Sequence, residues 1–199
     1  MKPDHLIRHA VRLFALAMLL VSQAVHAADT ASNESLWSAL QSGGYIVLIR
    51  HAETEPGTGD PPGFVLDNCS TQRNLSAEGR SHAQRLGEAF RKQRIPVADV
   101  LSSRWCRCID TARLAFGTAR PAAMLDSMFD DDDDRIQAKV RAVSAAARER
   151  PAAGNRIWVT HNVNIRTLTG ISPGAGEMVI VSAQKDGTLK PVGRLTVPR

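Results

Sequence analysis

The chain has 199 residues, 43% of them apolar and 23% charged, and a formal net charge of +5. That length suits one domain whose core needs no staples, and 14 Gly with 10 Pro exclude a collagen-like or low-complexity chain. The charge is only mildly basic and no basic stretch interleaves with aromatics. This excludes a nucleic-acid footprint and leaves small anions or envelope surfaces as partners.

Lys2, Arg8 and Arg12 make a basic start, Leu13 to Val21 is an unbroken apolar run, and Val25-His26-Ala27 offers small residues at a cleavage site. This is the three-part pattern of a secretory signal. Nine apolar residues fall well short of the roughly 20 that span a bilayer core, so the segment predicts cleavage and no stable membrane insertion afterwards. The expected organisation is a signal over 1–27 and a single domain over 28–199, in the periplasm or secreted. Cleavage leaves a net charge of +3 and the histidines His51, His82 and His161. In an oxidising compartment Cys69 can pair with Cys106 or with Cys108, and the spacing does not choose; the alternative is three reduced thiols.

Asn33 is placed to cap a short helix through about Gln41, ended by Gly43-Gly44. Tyr45 to Ile49 reads as a strand buried on both faces. Residues 55–68 form a Pro/Gly-rich loop, long enough to be functional. Ser76 starts a helix with Ala83, Leu86, Gly87 and Phe90 at helical spacing. Val97 to Leu101 is a second strand, 105–116 a helix, and Pro121 to Leu125 a further strand. Five aspartates, Asp130 to Asp134, precede a helix over about 135–150, where acidic residues suit the N-terminus. Arg156 to Thr160 is another buried-type strand, followed by a helix over about 163–169. Met178 to Ala183 and Gly193 to Val197 close the chain, with Asp186-Gly187 as a hairpin turn. Strands alternating with helices predict an α/β fold, a three-layer α/β/α sandwich around a mostly parallel sheet.

His51 and His161 each directly follow a buried strand, where ligands bind in open α/β sheets. Arg50 adjoins the first histidine, and Arg107 follows the strand 97–101. Guanidinium forks grip phosphate oxygens in pairs, so two histidines and two arginines at strand ends describe a phosphate pocket. The plain alternatives are structural histidines and solvated arginines.

These residues also carry a family resemblance. Arg50-His51-Ala52-Glu53-Thr54 resembles the Arg-His-Gly signature of the histidine phosphatase (phosphoglycerate mutase-like) superfamily. Leu75-Ser76-Ala77-Glu78-Gly79 is similar to the helix start that follows it. Ser103 to Ala112 resembles the Ser-x-x-x-Arg-x-x-x-Thr-Ala motif, with its arginine at Arg107 rather than Arg104. Val159-Thr160-His161-Asn162 and Gly176-Glu177-Met178-Val179 resemble the second-histidine motif and the segment after it. Ala52 replaces the usual glycine, loop 55–68 is longer than usual, and no cap insertion is present, as in small exported members.

The resemblance implies a phosphoglycerate mutase-like fold and a metal-independent phosphomonoesterase that needs no cofactor. His51 would be the nucleophile, with Arg50, Arg107 and His161 on the phosphoryl oxygens. It also implies an acid between the second arginine and the second histidine. Asp126 and the aspartate run fall there, with Asp130 the choice and Glu53 a rival. Arg73 and Asn162 are further substrate contacts; a surface salt bridge and a helix cap are their plain readings. The expected substrate is a small-molecule or glycan phosphomonoester of the envelope. The alternatives are a protein phosphohistidine phosphatase, a mutase separated by export from its cytosolic primer, and a catalytically silent anion-binding envelope protein. Oligomeric state is left open.

Overall fold

The run after Tyr45 forms β1 (Ile46–Arg50), with Ile46 to Ile49 all buried. Side chains alternate across a strand, so an unbroken apolar run belongs where both faces are covered. Ile46 and Leu48 join Leu101, Trp158, Val179 and Val181 against Val143, Ala147 and Ile165 on one face. The intervening set, with Val47, Ile49, Ile157, Val159 and Ile180, is equally buried on the other.

This computed structural model describes residues 33–149 and 153–198. The signal expected over 1–27 lies outside them. The chain divides into units 1–38 and 39–199. Of the first only 33–38 is described, as helical residues. The second holds the sheet, in the order β3-β2-β4-β1-β5-β6, with β2 (Val97–Ser102), β3 (Arg120–Pro121), β4 (Asn155–Thr160), β5 (Met178–Ala183) and β6 (Leu189–Leu195). β1 runs parallel to β4, β4 to β2 and β2 to β3, while β5 and β6 are antiparallel. The helices are α1 (33–42), α2 (Ala77–Lys92), α3 (Cys106–Phe116), α4 (Asp133–Arg148) and α5 (Asn162–Thr169). α4 and α5 supply the first face; α3 packs on β2, β4 and α2. This is the expected three-layer α/β/α fold.

Local chemistry sets the ends. Ser76 caps α2 by accepting from Gly79 N at 3.0 Å, and Gly117 ends α3 in the left-handed conformation. A Cβ at Gly87 would overlap the Ala115 carbonyl, so only glycine lets α2 lie this close to α3.

Three expectations need correction. The strand expected over 121–125 is a two-residue pairing followed by a 3-10 turn, Ala123–Leu125; Pro121 has no N–H to extend a ladder. β6 begins at Leu189, not Gly193, because an edge strand tolerates Pro191, which sits at a register shift. α5 starts at Asn162 itself, with His161 in the cap position, so Asn162 is not the cap. No helix among the described residues is long and apolar enough to cross a membrane.

Candidate active site

The parallel register sets Arg50 beside Thr160 and Ser102 beside Val159, so β1, β4 and β2 end together. The ladder continues past them: His51 N donates to Thr160 O at 2.9 Å and Ser103 N to Val159 O at 2.9 Å. His51, His161 and the segment into α3 are thereby fixed by backbone before any side chain is considered. They line a cavity of about 610 Å³ together with Arg50, Arg73 and Arg107.

His51 is buried, and its Nδ1 lies 2.8 Å from Ala52 O. A carbonyl only accepts, so Nδ1 carries the proton and Nε2 the lone pair. Ala52 N donates to Thr111 Oγ1 at 3.0 Å, and Thr111 Oγ1 donates to Arg107 O at 2.7 Å. The nucleophile candidate and the arginine are thus tied through α3. The methyl of Ala52, in place of the family's glycine, packs with Leu75 and Ala83.

His161 is held from behind. Its Nε2 lies 2.9 Å from Ser103 Oγ and 3.5 Å from Cys108 Sγ, and its ring stands edge-on to His51 and to Trp105 at 5.5 Å each. Burial, aided by the neighbouring Arg107, Arg50 and Arg73 charges, pushes the His51 pKa down to about 3 against the backbone hydrogen bond that opposes it. Burial and then the His51 and Arg107 charges push His161 well down too. Both imidazoles are neutral at neutral pH.

Arg50 Nη1 and Asn162 Nδ2 both donate to Pro173 O, at 3.0 and 2.8 Å, so Asn162 braces the loop that orients Arg50. Arg73 donates to Gly59 O, Thr54 Oγ1 and Gly57 O, which fastens the long loop to the cavity. Asp60 does the same from within that loop. Its Oδ1 accepts from Arg107 Nη1 at 2.7 Å and Arg73 N at 3.0 Å, and its Oδ2 accepts from Trp105 Nε1 at 2.9 Å. Burial raises the Asp60 pKa, but the hydrogen bonds from Arg107, Arg73 N and Trp105 outweigh it and hold the carboxyl below its usual range.

Asp60 and Gln72 are the site residues that sequence reasoning missed. Gln72 Oε1 accepts from Cys106 N at 3.0 Å, filling the start of α3 where Trp105 offers no side-chain cap. The available signal for Asp60 was Asp60-Pro61-Pro62-Gly63. Proline holds the residue before it extended, and Gly63 with positive φ closes a turn from Pro61 O to Phe64 N.

The aspartate run is mostly a helix start. Asp131 pairs with Lys139 Nζ at 2.5 Å, Asp132 caps α4 through Arg135 N, and Asp133 and Asp134 lie in its first turn. Asp130 is exposed on the cavity rim. Asp126 is buried against Arg104 and is engaged by Ser103 Oγ at 3.4 Å. Glu53 lines a smaller neighbouring cavity of about 190 Å³. Among the described residues no cluster of three or more His, Cys, Asp or Glu could hold a metal ion.

Cys69 is bonded to Cys106, closing a separation of 37 residues. Residues two apart on a helix point roughly 200° apart, and Cys108 faces inward, its Sγ 3.7 Å from Thr160 O. Burial pushes its thiol up to about 12.

Residues 46–131 match the profile of the histidine phosphatase superfamily (branch 1). The fold is similar to that of the protein histidine phosphatase SixA complexed with tungstate, at 12% identity and a TM-score of 0.54, covering 76% of this chain and 96% of that one. It is also similar to a phosphoserine phosphatase from Entamoeba histolytica in complex with 3-phosphoglyceric acid, at 11% identity and a TM-score of 0.51, covering 77% and 97%. At these identities the likeness is one of fold. No curated protein matches the chain.

Two outcomes follow from this geometry. Reduction should lower Tm by roughly 5–15 °C, since a bridge of this kind is worth about 2–4 kcal/mol, and should weaken phosphate binding by freeing the start of α3. Thiol titration of denatured, unreduced protein should find one free cysteine, and three would refute the bridge. The second outcome concerns pH. Below pH 6.5 the unfolded chain protonates His51 while the folded one does not, so stability falls as pH drops from 6.5 toward 3. At pH 5 this costs about 2 kcal/mol. Denaturant unfolding at pH 7.5 and pH 5 should show that His51→Asn removes this part of the loss; equal losses in both proteins would contradict it.

Proposed function

We propose that this chain, which belongs to the histidine phosphatase superfamily, is a phosphomonoester hydrolase working through a phosphohistidine at His51. The observation that carries the reading is the contact of His51 Nδ1 with Ala52 O. It leaves Nε2 unprotonated in a cavity that Arg50, Arg73 and Arg107 also line.

In the first step His51 Nε2 gives its lone pair to phosphorus as the bond to the leaving oxygen breaks, and the alcohol departs with a proton. In the second, the carboxylate that protonated the alcohol takes a proton from water as its oxygen attacks phosphorus, the N–P bond breaks, and orthophosphate leaves with the imidazole and the acid restored. Arg50, Arg107 and neutral His161 donate to the equatorial oxygens, where the transferring group carries its charge. Protein cations do this work without a metal. We assign the leaving-group proton to Asp130, which lies on the rim with no Lys139 or cap role.

The far half of the cavity supports a cyclic, hydroxyl-bearing leaving group such as an envelope sugar or glycan phosphate. Phe64 and Trp105 lie 5.8 Å apart on one wall. Phe129, also lining the cavity, is 62% exposed, and Asp130, Arg135 and Arg166 lie beside them. Apolar ring faces with charged donors and acceptors around them suit a sugar. Export to the periplasm rests on the basic start, the apolar run and Val25-His26-Ala27.

His51→Ala should abolish hydrolysis of an aryl phosphate and remove acid-labile phosphate trapped on the wild-type protein; wild-type turnover in the variant would overturn the assignment. In the same assay Asp130→Asn should slow alkyl phosphates while sparing the aryl ester, whose leaving group needs no acid. Mass spectrometry of protein from its native host should find an N-terminus near Ala28, and an intact chain in the cytosol would refute export.

A further inference from the structure

A carboxylate in a pocket meant for phosphate needs a reason. Asp60 places one there: its side chain is 7% exposed and sits 2.7 Å from the arginine that the phosphoryl group should use. It is no proton donor, because both oxygens already accept hydrogen bonds, from Arg107 and Arg73 N on one and Trp105 on the other. Stability alone is a weak reason for it, because desolvating both partners of a buried ion pair offsets much of their attraction.

The guanidinium shows what the carboxylate does. Arg107 has two edges that grip oxygens in pairs, and Nη1 belongs to one of them. With Nη1 given to Asp60, the Nε–Nη2 edge is the pair remaining. Nε is buried and meets no hydrogen-bond acceptor among the described residues, an unmet donor that a native site tolerates where a ligand completes it. The other Asp60 oxygen fixes the indole of Trp105, whose ring abuts His161 at 5.5 Å.

We propose that Asp60 is a positioning residue for phosphoryl transfer: it holds Nη1 of Arg107 so that the Nε–Nη2 edge faces the transferring group. This rests on the phosphatase reading above and adds to it the residue that aims the second arginine. The long loop then has a catalytic purpose, since it delivers Asp60 to the site from between Gly59 and the Pro61–Phe64 turn.

The test uses the full chain, purified without reductant, with p-nitrophenyl phosphate as substrate. Asp60→Asn preserves size, but its amide puts a donor against a donor at one of the two oxygen positions. It should lower kcat roughly 10- to 100-fold and change KM less than about threefold. In an Arg107→Ala background the same substitution should change kcat less than about twofold, because the group it aims is gone. Equal losses in both backgrounds would make Asp60 merely structural and overturn the proposal. A higher kcat, or orthophosphate bound more than about tenfold tighter, would make it a competitor for the arginine and overturn it too. Vanadate, which mimics the five-coordinate transition state, separates this from the phosphatase reading. If the wild type hydrolyses nothing, yet Asp60→Asn weakens vanadate binding about tenfold only when Arg107 is present, turnover fails and positioning stands. Vanadate binding unchanged by the substitution refutes positioning.

Discussion

The costliest thing this fold does is to gather like charge in a partly buried place. Arg50, Arg73 and Arg107 converge on two imidazoles at the ends of three parallel strands. Desolvated cations are unfavourable unless something negative or strongly polar faces them. Full neutralisation would leave nothing for a phosphate to bind. The structure compensates partially, with the Pro173 carbonyl for Arg50, the Gly57 and Gly59 carbonyls for Arg73, and one carboxylate, Asp60, for Arg107. What remains is an electrostatic deficit fitted to an anion.

The same deficit explains why the histidines are suited to their task. An imidazole in water is half protonated near its pKa of about 6.5 and then has no lone pair to give. Here burial and the surrounding guanidiniums both disfavour the imidazolium. In the proposed mechanism, the cations assigned to the phosphoryl oxygens therefore also keep His51 unprotonated. The carbonyl of Ala52 selects which nitrogen is available.

How far this was legible in the sequence depended on whether a residue's partners are near it in the chain. His51 and His161 were visible because each ends an unbroken apolar run, and such runs end at the ligand-binding edge of an α/β sheet. Arg107 was singled out by the family resemblance, whose motif places its arginine four residues before Thr111. Ser76 announced its helix by a local cap. Asp60 was not visible: its partners Arg73, Trp105 and Arg107 lie 13, 45 and 47 residues away, and its own neighbourhood reads as a turn. Gln72, paired with Cys106 across 34 residues, was hidden for the same reason. The aspartate run was legible as a helix start, because acidic residues suit an N-terminus, and Asp131 to Asp134 do serve Lys139 and the start of α4.

The long loop is where these threads meet. Between Glu55 and Asn68 it has little apolar content to bury, and a segment of that composition does not hold one conformation by packing. It is held instead at discrete points: Arg73 reaches back to Gly57 and Gly59, Thr71 and Gln72 to Val65 and Leu66, Asp60 to the site, and Cys69 to Cys106. Two of these anchors fall on adjacent residues of one helix start, Cys106 and Arg107. The covalent bond limits how far the loop can depart from α3, and the ion pair sets which edge of Arg107 faces inward. A polar loop can thus place a charge with the accuracy phosphoryl transfer demands, because its anchors are short and converge on the element that carries the arginine.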